Sequence, residues 1–117
     1  MDIVEVREYC LNKKSVEEGM PFGEGVLVYK VCNKIFLLIP VVKPYRMNVK
    51  CDPEIALELR EKYEDVQPGY HMNKVHWNTV FIEGKISKKE ILKMIDDSYM
   101  LIVKSLKVKD RKALGYE

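Results

Sequence analysis

The chain has 117 residues, 47% hydrophobic and 32% charged, with a net charge of +2. Such a chain forms one globular domain and can bury about two-thirds of its unfolded surface without disulfide or metal staples. The composition fits an ordinary soluble globular protein, and no apolar run approaches the ~20 residues of a membrane-spanning helix.

Asp2-x-x-Glu5 is a capping box, and Ile3, Val6 and Cys10 follow at helical spacing, which predicts a helix over about 2–13. Residues 17–25 hold three glycines and a proline and read as a loop. Val26 to Val31 and Ile35 to Ile39 are β-branched and apolar. Joined through Cys32-Asn33-Lys34, they predict an antiparallel hairpin. Pro40 to Pro44 is a connection. Arg46 to Cys51 then alternates, with Met47, Val49 and Cys51 on a dry face and Arg46, Asn48 and Lys50 on a wet, basic one. Asp52-Pro53 pairs an N-cap acid with a proline at the first helical position, and predicts a helix over 53–63. Glu64 to Gly69 leads out of it, and Val75 to Ile82 reads as a further strand. After a turn at Glu83-Gly84-Lys85, Ser87-x-x-Glu90 caps a helix over 87–106, whose apolar stripe runs from Ile91 through Ile95, Tyr99 and Ile102 to Leu106. Residues 107–117 read as a charged, loosely held tail. The element order predicts a single α+β domain, with one antiparallel sheet and its helices packed on one face.

Charge is unevenly spread. Residues 1–24 carry three basic and six acidic groups, and residues 85–117 carry nine and five. An acidic front and a basic rear suit a polyanion on one face, or simply a solvated last helix. Three widely spaced cysteines without a CxxC pair predict free thiols and a reducing, cytoplasmic setting. The charged opening, with Asp2, Glu5, Arg7 and Glu8, does not read as a secretory leader.

Chemistry-bearing side chains concentrate between Pro68 and Thr79, which hold both histidines and the single tryptophan. Lys74, Lys50 and Arg46 suit phosphates, Asn73 and Asn78 suit base edges or phosphates, and Tyr70, His76 and Trp77 suit base stacking. Trp77 equally suits core packing, and Asn78 and Thr79 equally suit bracing the turn. His71 and His76 are five apart, which does not place both on one helix face or one strand face, and no metal motif is present. No nucleophile elbow, phosphate loop or dinucleotide fingerprint occurs, so the expectation is a non-enzymatic protein without cofactor or metal. A polar pocket around Lys50, His71, Asn73 and His76, open to a small ligand or a protein partner, is the alternative.

Three blocks resemble the MmcQ/YjbR family: Pro21-Phe22-Gly23, Asn48-x-Lys50-Cys51-Asp52-Pro53, and Gly69-Tyr70-His71-Met72-Asn73-Lys74-x-His76-Trp77-Asn78-Thr79. The resemblance covers nearly the whole chain. It implies a CyaY-like (frataxin-like) fold and a DNA-binding role through a double-wing arrangement of β-hairpins. Lys50, His71, Asn73, Lys74, His76, Trp77 and Asn78 match the family blocks, and Arg46 joins them from the basic strand face. Position 75 is valine where the family often has a basic residue. Iron chemistry does not follow from a frataxin-like fold, because fold does not carry function.

Overall fold

The computed structural model of the protein describes residues 1–70 and 72–116. Helix α1 (Ile3–Leu11) opens on the capping box: the Asp2 carboxylate accepts the Glu5 N–H, and the Glu5 carboxylate accepts the Asp2 N–H. Strand β1 (Val16–Gly19) follows and pairs with β2 (Val26–Val31). The turn from β2 into β3 (Lys34–Pro40) passes through Cys32 and Asn33 at φ 48° and 65°, the left-handed backbone that a tight hairpin requires at both positions. Strand β4 (Arg46–Lys50) leads to α2 (Pro53–Lys62), where the Asp52 carboxylate accepts the N–H groups of Glu54 and Ile55. Strands β5 (Val66–Pro68) and β6 (Trp77–Phe81) come next, then α3 (Lys88–Ser105), capped by the Ser87 hydroxyl, and α4 (Val108–Ala113).

The six strands form one sheet in the order β1-β2-β3-β4-β6-β5, with every neighbouring pair antiparallel. The expected α+β architecture is therefore the observed one. Two edge strands and α4 were not expected. β1 and β5 have only 4 and 3 residues, too short to show a period. The tail expected to be loose forms α4 and tucks Leu114 into the core, where the Lys14 ammonium donates to its carbonyl. The expected strand over 75–82 begins only at Trp77, because the Asn73 carbonyl accepts the N–H groups of His76 and Trp77 and curls the chain into a turn.

Alternation sorts the sheet into two faces. Met47, Val49 and Val80 face the helices and share one core with Ile95, Tyr99 and Ile102 of α3. Phe36 meets Tyr99 edge to face, with ring centroids 5.3 Å apart. β3 and β4 pair only at Leu37–Val49 and Leu38–Asn48. Next to these pairs Ser98 of α3 completes the ladder: its hydroxyl accepts the Lys50 N–H at 2.8 Å and donates to the Phe36 carbonyl at 2.5 Å. Among the described residues no helix is long and apolar enough to cross a membrane.

Candidate functional site

Among the described residues no helix covers the second face of the sheet, yet Val28, Leu38, Asn48 and Thr79 at its centre are buried. Two loops fold over them. One links β1 to β2 and carries Phe22; the other links β5 to β6 and carries Tyr70 and Met72. Between the loops lies a groove of about 370 Å³, floored by Val26, Ile35, Leu38 and Pro40, with Arg46, Asn48 and Tyr70 bringing polar groups to it among the described residues. That volume falls in the range of small-molecule sites. Phe22 and Tyr70 border it at 65% and 61% exposure, so two large rings face solvent at its mouth.

The β5–β6 loop is held by a relay and a clamp. The Tyr70 N–H donates to Thr79 Oγ1 at 2.9 Å, and Thr79 Oγ1 donates to Asn48 Oδ1 at 2.5 Å. On the helix side Arg60 of α2 is the clamp. Its Nε donates to Asn78 Oδ1 at 2.7 Å, and its Nη2 donates to the carbonyls of Lys74 and Trp77. A fork of five donors suits three acceptors on a bent chain. Gly69 completes the turn, since a Cβ there would stand 2.8 Å from Trp77 Cβ and 2.9 Å from the Trp77 carbonyl oxygen.

The residues singled out from the sequence divide among different surroundings. Arg46, Lys50 and Trp77 share the open face, with Lys50 directly opposite Trp77, and all three are half-buried. Arg46 Nη1 donates to the Pro44 carbonyl at 2.9 Å. Asn73 and His76 are exposed, but Asn73 Oδ1 accepts the Val75 N–H and shapes the loop. The Lys74 ammonium donates back to the Gly69 carbonyl. Asn78 differs most from its expected place at a surface: it is 1% exposed, faces the helices and braces Arg60. In an antiparallel pair its register opposite Val49 puts it on the core side, away from Arg46 and Lys50. His71 lies outside the described residues. Of the residues expected around a polar pocket, Lys50, Asn73 and His76 do not line this groove.

Two other expectations concern thiols and metals. Cys10 and Cys51 are buried, and Cys32 is exposed in the hairpin turn. Burial pushes the Cys51 thiol up to about 11, and the nearby Asp97 and Asp52 add to the rise, which is the opposite of an activated nucleophile. Among the described residues no group of three or more His, Cys, Asp or Glu side chains is gathered for a metal ion.

The family model for YjbR matches residues 11–101. The chain belongs to the YjbR family. YjbR of Escherichia coli K12 is 32% identical over 115 residues, covering 97% of this chain and 98% of its own. YbdF of Escherichia coli O157:H7 is 38% identical over 108 residues, 91% of this chain and 88% of its own. Among solved structures, the Deinococcus radiodurans protein DR2400 superposes with a TM-score of 0.91 at 31% identity, covering 98% of this chain and 88% of that one. A Pseudomonas syringae protein does so with a TM-score of 0.77 at 27% identity, covering 86% and 98%. The open-face groove of this YjbR-family chain is built from blocks that lie far apart in its sequence. Phe22, Asn48, and the pair Tyr70 and Met72 come from three separate stretches and meet at one cavity.

Proposed function

We propose that this YjbR-family protein is a non-enzymatic binding module whose site is the groove across the open face of the sheet. One observation carries the reading: the three sequence blocks of the family resemblance each supply a side chain to this cavity. A sheet face left open by the helices would ordinarily alternate to polar residues. Here its β2–β3 part, with Val26, Leu38 and Pro40, is apolar and bordered by two loops, an arrangement that suits a small molecule with an apolar body. The test is thermal stabilisation and amide chemical-shift mapping against a panel of small apolar and aromatic compounds. A ligand at this site raises the melting temperature with concentration and shifts the amides of Leu38, Asn48 and Tyr70. Val26→Phe, which fills the floor, abolishes the effect. Shifts confined to other surfaces would refute the proposal.

A second reading is weak DNA binding along the same face, favoured by Arg46 and Lys50 at the two ends of β4, with Trp77 opposite Lys50, and by the two exposed rings Phe22 and Tyr70. Asn73, Lys74 and His76 on the β5–β6 loop would extend that surface. Binding of this kind falls with salt, with a log–log slope of roughly 0.9 per phosphate neutralised on duplex DNA and roughly 0.7 on single strands. Lys50→Ala lowers affinity and slope together. Affinity that is indifferent to salt, or to Lys50→Ala, removes this reading and leaves the small-ligand one.

A further inference from the structure

Resting on the groove as the binding site, we infer that its occupant is a small carboxylic acid: an apolar body on the groove floor with its carboxylate on Asn48 and Arg46. The hydrogen-bond relay determines which way the Asn48 amide points. Thr79 Oγ1 already accepts the Tyr70 N–H, so its own proton goes onward to Asn48 Oδ1. The Asn48 oxygen is thereby committed to Thr79, and the amide NH₂ is the group left to the groove. Among the described residues the one side-chain hydrogen bond of Asn48 runs through Oδ1. Arg46 lies two residues away on the same face of β4 and spends one of its N–H groups on the Pro44 carbonyl, which leaves the rest of its fork for another acceptor.

Among the described residues that line it, the groove presents the Asn48 amide, the Arg46 fork and the Tyr70 ring at its mouth, and none is acidic. A carboxylate accepts through two oxygens and offers no proton that would need a partner. It can bridge donors that alternate along one strand face, and its single charge balances that of Arg46. A dianionic phosphate would leave excess charge against apolar walls, a costly arrangement. A neutral alcohol would satisfy Asn48 alone and leave the guanidinium unmatched. Asn48 is 8% exposed, so an acceptor reaching its NH₂ is largely shielded from competing water.

The experiment compares matched acid and alcohol probes, decanoate with decanol and phenylbutyrate with phenylbutanol, by amide chemical-shift titration. The acid of at least one pair binds about tenfold or more tightly than its alcohol, as a charge-assisted bond implies. Asn48→Asp keeps the acceptor for Thr79 and replaces the donor NH₂ with a repelling oxygen. It removes the preference for acid while the alcohol still binds. Arg46→Gln tests the same point independently, should Asn48→Asp fail to fold. Equal binding of acid and alcohol in both pairs overturns the carboxylate assignment and leaves the groove reading intact. Failure of all four probes to shift groove amides overturns both.

Discussion

Replacing Arg60 tests how the β5–β6 loop is positioned. Arg60→Met keeps much of the aliphatic stem and removes three hydrogen bonds, to Asn78 Oδ1 and to the carbonyls of Lys74 and Trp77. A hydrogen bond to a charged group contributes about 1.5–3 kcal/mol, and a buried acceptor left bare costs about 1–3 kcal/mol. These contributions overlap. Lys74 is exposed, so water can replace that bond, whereas Asn78 is 1% exposed and has no such relief. The expected loss is about 2–4 kcal/mol. With a urea dependence of roughly 1–3 kcal/mol per molar, the unfolding midpoint falls by about 1–2 M. Arg60→Lys recovers little, because an ammonium cannot span three separated acceptors. Asn78→Ala costs less in the Arg60→Met background than alone, since its partner is already gone. A midpoint shift below about 0.3 M, or strict additivity of the pair, would refute the clamp.

Four further outcomes are expected. Ile95→Ala, at a fully buried position in α3, costs about 2–5 kcal/mol by urea unfolding, and an unchanged midpoint would contradict the shared core. In the native state a thiol reagent at pH 8 labels Cys32 rapidly and Cys10 and Cys51 slowly, since burial pushes Cys10 up to about 12 and Cys51 up to about 11; mass spectrometry showing two fast sites would count against this. Gly69→Ala destabilises by about 1–3 kcal/mol and shifts the emission of the sole tryptophan, because the added methyl meets Trp77; an unchanged spectrum and melt would argue against the close approach. The Glu18 carboxylate is held below its usual 4.5 by Arg7 and also by the Tyr29 hydroxyl. Its stabilisation is therefore full above that value and is lost as pH falls through the folded-state pKa, so Glu18→Gln flattens the drop in urea midpoint between pH 6 and pH 3, and parallel profiles would refute it.

The strands and helices with long periods were legible in the sequence. Alternation through Met47, Asn48 and Val49, and the stripe of α3, each give a pattern that only one secondary structure satisfies. β1 and β5 were not legible, because pairing with a longer neighbour creates them and their own residues carry no period. The candidate site was only half legible. The 69–79 stretch was visible as a concentration of polar and aromatic side chains, but its facing depended on where β6 starts. A turn at 73–76 precedes the strand, and the register then sends Asn78 inward and Trp77 outward. The role of Arg60 has no sequence signature, because two of its three acceptors are backbone carbonyls. Phe22 stands in the first family block, but only tertiary folding brings it to the same groove as Tyr70.

Ser98 ties the order of synthesis to the completion of the sheet. The hydroxyl that links the Phe36 carbonyl to the Lys50 N–H belongs to a helix that follows all six strands in the chain. As the polypeptide emerges, β3 and β4 can meet at their two paired positions, but those two backbone groups lack their native partner until α3 arrives. Helix docking and the closing of this seam are then a single event, which couples the middle of the sheet to the last third of the chain. In a chain truncated before α3 these two backbone groups would have to turn to water or to each other beside an exposed apolar face, so this seam is where the sheet depends most on its last long helix.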